Sequence, residues 1–261
     1  MRAEPEIAAP HGALEASVVV PARDEEERIG ACLAALGAQM DLTPGSWEVL
    51  LVLDDCRDQT RERAVEAAAA HPQLSLRLLT GPGQGSGGAR ATGMDAACAR
   101  LHAIGRPHGL IASTDADTKV APDWLARQLE LARAGARAIG GRIELCPDER
   151  AALPASVIAG HGEQSRRRFH RILEQAPDDG AVTDHWQFSG ASMAVTAEAY
   201  REVGGLGEGG HSEDERFECA LLAHGVPIER HLGVRVTTSA RLDGRASHGL
   251  ARVLRELAAS R

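Results

Sequence analysis

The stretch ASVVVPARDEEERIGACLAALGAQ, residues 16–39, decides how the chain reads. Its first seven residues are a continuous apolar, β-branched run, the mark of a strand buried on both faces of a parallel sheet. Residues 24–39 carry apolar side chains at helical spacing, with acids in the first turn where they suit the helix dipole. The same couplet repeats downstream. WEVLLVLDD (47–55) predicts a strand and DQTRERAVEAAAA (58–70) a helix. LSLRLL (74–79), a glycine-rich loop and ARATGMDAACARLHA (89–103) give a third pair. GLIAST (109–114), PDWLARQLELAR (122–133) and RAIGGRIEL (137–145) add a strand, a helix and another strand. Alternation of this kind predicts an α/β fold, a mostly parallel Rossmann-like sheet flanked by helices.

Beyond residue 146 the rhythm changes. A long polar helical stretch is expected, broken at Pro154 and around Gly160–Gly162. FSGASMAVT (188–196) predicts a strand, then come helices at 197–205 and 212–225, a last strand at 233–240 and a terminal helix at 249–260. The expected organisation is a flexible arm over 1–14, a first half over 15–145, and a second half over 146–261 of the same domain.

In open α/β sheets, ligands bind beyond the carboxyl ends of the strands. Polar residues just after each strand are therefore the candidates: Arg23 to Glu25, Asp54-Asp55, the glycine loop, and Asp115 with Asp117. Two aspartates one residue apart repel each other, so something positive should sit between or beyond them. A divalent cation is one answer, since hard Mg²⁺ or Mn²⁺ takes carboxylate oxygens and shares its coordination with a diphosphate. A helix cap with a solvated neighbour is the plainer alternative. The loop GPGQGSGGAR (81–90) contains Gly83-x-Gly85-x-x-Gly88, which matches the dinucleotide fingerprint in form. It follows the third strand rather than the first, so that reading is set aside. A glycine loop at a helix start still cradles anions, and Arg90 is placed to contact a diphosphate or a base. Asp58 with Thr60 reads as a helix cap. Glu213-Asp214 opens a helix, where the dipole favours acids; a general base presented to a hydroxyl is the functional reading. RRRFHR (166–171) reads as a solvated helix face that could also meet an acidic acceptor.

Bulk properties narrow the classes further. The 261 residues are 43% hydrophobic with a net charge of −8, enough for a sizeable core and unsuited to a nucleic-acid partner. Five scattered cysteines, none in C-x-x-C spacing, read as reduced thiols of a cytoplasmic protein. The N-terminus lacks an apolar signal segment, and no run is long enough to span a bilayer, which leaves peripheral membrane contact open. No P-loop, G-x-S-x-G elbow or zinc spacing is present.

Six stretches, VVVPARDEEERIGACLAAL, VLLVLDDCRDQT, GSGGARATGMDAA, STDADTKVAPDWL, FSGASMAV and SEDERF, occur in an order and spacing that resembles the nucleotide-sugar glycosyltransferases of family 2. The resemblance runs from about residue 16 to residue 240 and implies the GT-A fold with a C-terminal acceptor-side region. It implies that Pro21, Ala22, Arg23 and Glu25 line the nucleoside pocket, and that Asp55, with Asp54, binds the base, usually uracil. Arg90 would hold the nucleotide, Asp115 the ribose or metal, and Asp117 the metal. Gly190, Ala191 and His211 would border the donor sugar and acceptor, with Asp214 as catalytic base and Glu213 beside it. Asp24 stands where the family usually has Asn, and Cys56-Arg57 where it has Gly-Ser; both changes touch the nucleoside pocket. The Q-x-x-R-W motif of processive members is absent. In synthase relatives of the same fold a late histidine completes the metal site; His231 and His248 are the two residues here, and neither falls convincingly at that position.

The activity so implied is transfer of a sugar from a nucleotide-sugar, a UDP-sugar by the family's habit, to an acceptor hydroxyl, with inversion and with Mg²⁺ or Mn²⁺ as cofactor. The acceptor is a small molecule, lipid or glycan, and a homodimer is compatible with the sequence. The alternative is a catalytically inactive GT-A module that binds a nucleotide or sugar phosphate.

Overall fold

The computed structural model describes residues 7–175, 181–207, 213–244 and 249–259. In chain order its elements are β1 (Ala16–Ala22), α1 (Ile29–Gly37), β2 (Trp47–Leu53), α2 (Thr60–Ala69), β3 (Leu76–Thr80), α3 (Gly85–Ala103), β4 (Leu110–Ser113), β5 (Thr118–Val120), α4 (Trp124–Arg133), β6 (Ala138–Leu145), α5 (Pro147–Ala151), α6 (Ala155–Gln175), β7 (Met193–Thr196), α7 (Ala197–Glu202), α8 (Glu213–Ala223), β8 (Ile228–Thr238) and α9 (Leu250–Ala259). The strands form one sheet in the order β3-β2-β1-β4-β7-β6-β8-β5. β1 to β4 pair in parallel, β7 runs antiparallel to both β4 and β6, and β8 runs parallel to β6. The carboxyl ends of β1, β2, β4, β6 and β8 therefore share one rim. β5 pairs antiparallel with β8 at the sheet edge.

Both faces of the sheet are covered, as the unbroken apolar runs require. Val18, Val20, Val49 and Leu51 pack with Leu33 of α1 and Trp124 of α4. Val19, Leu50 and Val52 point the other way, onto Met94, Ala97 and Leu101 of α3 and Phe217 of α8. The side-chain period of two divides each strand between the two layers. Gly93 lets α3 lie close to the sheet, since a Cβ there would collide with Val19 and Val52. A third, small cluster joins Val157 of α6, Ala240 after β8 and Leu254 of α9. Among the described residues no helix is long and apolar enough to cross a membrane.

Several expected boundaries move, each for a tertiary reason. α1 starts at Ile29 rather than at residue 24. Asp24 takes a positive φ of 51°. The Glu25 amide donates to Thr60 Oγ1 at 2.7 Å and the Glu26 amide to Asp58 Oδ2 at 3.0 Å, so the acids after β1 form a tied turn instead of a first helical turn. Asp58 also accepts from the Thr60 amide at 3.0 Å, but it stands one residue before the N-cap of α2, Gln59, which has no side-chain cap bond. α3 starts within the glycine stretch, at Gly85. The break at Pro154 is present, but α6 runs unbroken through Gly160 and Gly162. Leu257 of α9 packs against Gly160 where a larger residue would carry its Cβ, so the glycine serves helix contact rather than a break. β7 is shorter than the stretch 188–196, and β8 starts earlier than 233, with a register shift opposite Gly141 and Arg142.

One buried charge pair lies away from the rim. Glu48, inside β2, receives Arg100 of α3 in a two-pronged pair at 2.7 and 2.6 Å. Its side chain is 3% exposed. Arg100→Ala leaves that carboxylate with only Ser17 Oγ at 3.0 Å and a distant Arg77. The expected loss is about 3 kcal/mol of folding stability, read as a lowered urea midpoint. A change of a few tenths would show that the pair contributes nothing net.

Candidate active site

The rim encloses a cavity of about 1040 Å³. Its floor comes from the strand ends: Pro21 and Ala22 of β1, then Arg23, Glu25, Asp115 and Asp117. Gly190, Ala191, Glu213 and Asp214 close the side toward the second half. The strand-end rule puts Arg23, Glu25, Asp115 and Asp117 at one rim, the family resemblance adds Pro21, Ala22, Gly190, Ala191, Glu213 and Asp214, and all of them line this cavity.

Arg90 is the hub. It projects from α3, 3% exposed, and reaches across the end of β4. Nη1 donates to Ser113 Oγ at 2.5 Å and to the Gly190 carbonyl at 3.0 Å, and Nη2 donates to Asp115 Oδ1 at 2.8 Å. Its Nε has no hydrogen-bond partner among the described residues and lies 3.7 Å from Glu213 Oε1. Gly190 packs flat on the guanidinium, where any Cβ would collide with it. Burial works against the charge of Arg90, and Asp115 and Glu213 more than offset that, so its pKa is raised. One arginine thus ties the end of β4 to the 190–191 turn of the second half.

Asp117 has its own cation. Arg241, just after β8, reaches Asp117 Oδ2 at 3.0 Å and also grips Glu25, with Nη1 at 2.9 Å from Oε2 and Nη2 on Oε1. The positive partners demanded by two neighbouring aspartates are therefore two arginines, one for each carboxylate. Burial, then the charge of Asp115, pushes the Asp117 pKa up to about 6 in spite of Arg241. Asp214 is likewise raised above the ordinary aspartate range, first by burial and second by Glu213 beside it. Asp214 Oδ1 accepts the Glu215 amide at 3.0 Å, which fixes the side chain at the opening of α8.

Other expected residues are placed differently. Asp54 turns both carboxylate oxygens to backbone, accepting Gly83 N at 2.6 Å and Gly85 N at 2.8 Å. It lines the cavity and anchors the glycine stretch and the start of α3, each oxygen accepting one backbone N–H. The glycines are there for this fold-back: Gly83 and Gly85 have φ of 74° and 81°. Asp55, at a φ of 54°, is outside the cavity lining and pairs with Arg23 at 3.5 Å and Arg57 at 3.3 Å. His231 bonds Glu229 Oε2 at 2.7 Å and does not line the cavity. His211 and His248 lie outside the described residues.

The far wall includes Arg168 and Arg171 of the stretch 166–171. α6 contributes His161 and Arg168, and Arg168 lies 4.8 Å over the Trp186 ring. Arg166 and Arg167 pair with Glu163 on the solvent side, as a helix face should. Arg241 was missed, although the rule that located the other residues applies to it: it follows a strand whose carboxyl end lies at the same rim.

Asp117 and Asp115 offer hard oxygen donors, the chemistry suited to Mg²⁺ or Mn²⁺. No group of three histidine, cysteine or acidic side chains able to hold a metal occurs among the described residues. The donor set fits a cation held by one or two carboxylates, with substrate phosphates and water completing its shell.

The profile described as Glycosyl transferase family 2 matches residues 17–197. In structure the chain is similar to the mannosyltransferase PcManGT from Pyrobaculum calidifontis in complex with GDP-Man and Mn²⁺, with a TM-score of 0.63 and 20% identity over 97% of this chain and 64% of that one. It is also similar to S. aureus TarS 1-349 in complex with UDP-GlcNAc, with a TM-score of 0.62 and 15% identity over 94% of this chain and 66% of that one. A crystal structure described as that of a mycobacterial protein gives 0.53 and 18%, over 98% and 77%. The chain spans under two thirds of the length of the first two. No curated protein matches it. These likenesses establish the fold, and the mixed sheet with its single ligand rim is the GT-A arrangement that the motif order implied. With the profile match over most of its length, the chain belongs to glycosyl transferase family 2.

Proposed function

We propose that the protein is a metal-dependent glycosyltransferase that moves a sugar from a nucleotide-sugar to an acceptor hydroxyl with inversion. One observation carries the reading: Asp117 and Asp214, both held at raised pKa, line the same cavity, with Arg90 between the elements that bear them. Residues 15–145 take the donor and residues 146–261 the acceptor side. Pro21, Ala22, Arg23 and Glu25 receive the nucleoside, and Asp117 with Asp115 holds Mg²⁺ or Mn²⁺. When bound, the metal supplies charge neutralisation at the leaving diphosphate. Arg90, already fixed by Ser113, Asp115 and Gly190, keeps the donor site and the 190–191 turn in register. Asp214 accepts the proton of the acceptor hydroxyl as it attacks the anomeric carbon. A base with a raised pKa is matched to that task. Direct displacement through an oxocarbenium-like transition state inverts the sugar carbon. Five free thiols agree with a cytoplasmic setting.

The donor base follows the neighbours in two directions, since PcManGT was solved with GDP-Man and TarS with UDP-GlcNAc. The test is a panel of UDP- and GDP-sugars with Mn²⁺, a set of sugar, glycerate and lipid hydroxyl acceptors, and mass-spectrometric detection of product. A transferred sugar with inverted anomeric configuration supports the proposal. Tight donor binding with no product from any acceptor favours the sensing module instead.

A further inference from the structure

Arg241 joins two carboxylates of the rim, Glu25 and Asp117. Its backbone is held independently of its side chain: Glu149 Oε2 accepts Ser239 Oγ and Ala240 N, each at 2.6 Å, and the Arg241 amide donates to Ser239 Oγ at 3.2 Å. Ala240 is buried with Val157 and Leu254. From this fixed base the long side chain spans the rim and ends between Glu25, on the β1–α1 turn, and Asp117, after β4. The three side chains are 16%, 8% and 17% exposed. A guanidinium there satisfies two mostly buried carboxylates at once, and the same planar fork fits a diphosphate equally well.

We infer that Arg241 is a resident counter-cation: in the ligand-free protein it holds the metal carboxylate Asp117, and it releases Asp117 when a nucleoside diphosphate draws the guanidinium away. This rests on the reading of Asp117 as the metal carboxylate. A bare divalent ion must displace the guanidinium nitrogen that lies 3.0 Å from Asp117 Oδ2 and leave the arginine beside a new positive charge, so it binds poorly. A diphosphate gives Arg241 a new anionic partner and frees Asp117 for the ion. Metal and nucleotide binding are thereby coupled, each raising affinity for the other. The device keeps two buried carboxylates paired in the absence of donor, which avoids the cost of an uncompensated buried charge.

The test is Mn²⁺ titration followed by electron paramagnetic resonance of the free ion, on wild type and on Arg241→Gln, Arg241→Met and Arg241→Lys. The Gln and Met variants are expected to bind Mn²⁺ alone about tenfold more tightly than wild type. The Lys variant, still cationic, is expected to stay near wild type. Saturating UDP or GDP should raise wild-type Mn²⁺ affinity and raise that of the Gln variant much less. The Gln and Met variants, folded by circular dichroism, binding Mn²⁺ no more tightly than wild type would overturn the inference and leave Arg241 a staple between β8 and β1. The Mn²⁺-only arm needs no nucleotide. If neither UDP nor GDP binds any of the proteins, the nucleotide-sugar reading fails separately, and the Mn²⁺ arm still decides the part played by Arg241.

Discussion

Asp214→Asn is expected to slow sugar transfer by about 10³-fold while leaving donor affinity unchanged, within the range general-base catalysis contributes. The substitution is nearly isosteric, and the amide oxygen of Asn can still accept the Glu215 N–H that positions the side chain. The opening turn of α8 should therefore keep its shape. What disappears is a group able to take a proton. The pH dependence supplies a second signature. Burial and Glu213 raise the Asp214 pKa, so the base is protonated and idle at low pH and becomes active as pH rises through that raised value. The acid limb of the wild-type rate profile should lie above the ordinary aspartate range and be absent from the residual activity of the variant. Steady-state kinetics beside donor calorimetry check both statements. Full transfer by Asp214→Asn would remove Asp214 from the role of base, and Glu213 would be the next residue to change.

Asp117→Asn should act on the other half of the reaction. Removing the charge that faces the metal is expected to lower Mn²⁺-supported turnover by about 10²–10³-fold, the size of several kcal/mol of lost charge stabilisation. Stability should move in the opposite direction. The Asp117 pKa is about 6 in the folded protein, above the ordinary value of 3.8, so ionisation is disfavoured by folding and its cost is fully present above pH 6. Near neutral pH the neutral amide escapes that cost and can still accept from Arg241. The variant should melt no lower than wild type while losing activity, the pattern of a residue kept for function against stability. Thermal melts with and without Mn²⁺ separate the two effects.

The first 145 residues were legible because their signal is local and repeated. Unbroken apolar runs such as VVV and VLLVL describe strands buried on both sides, and polar residues that follow them, Arg23 and Asp54 among them, line the rim cavity. Asp115, Asp117, Arg90, Glu213 and Asp214 all followed from that logic with the motif order. What escaped depends on contacts distant in sequence. β5 has three residues, too few for a periodic pattern, and exists because Thr118–Val120 meets β8. α6 survives its glycines because α9 packs on Gly160. Asp54 reads as a ligand group in the sequence, and its second part, holding two amides of the following loop, shows only in the fold. Arg241 bridges to Glu25 across 216 positions, and no local pattern around Arg241 announces such a contact. Asp115 and Asp117 posed a problem of repulsion in the sequence, and the chain solves it with two arginines, one from α3 and one from the segment after β8.

The central claim is that this rim binds a nucleoside diphosphate together with a divalent cation on Asp117. Calorimetric titration of UDP and GDP into wild type and Asp117→Asn, in Mn²⁺ and again in EDTA, tests it most directly. The account predicts that one of the two nucleotides binds wild type in Mn²⁺, and that its affinity falls by at least about tenfold both in EDTA and in the variant. Equal affinity in all of these conditions, or no binding of either nucleotide, would contradict it.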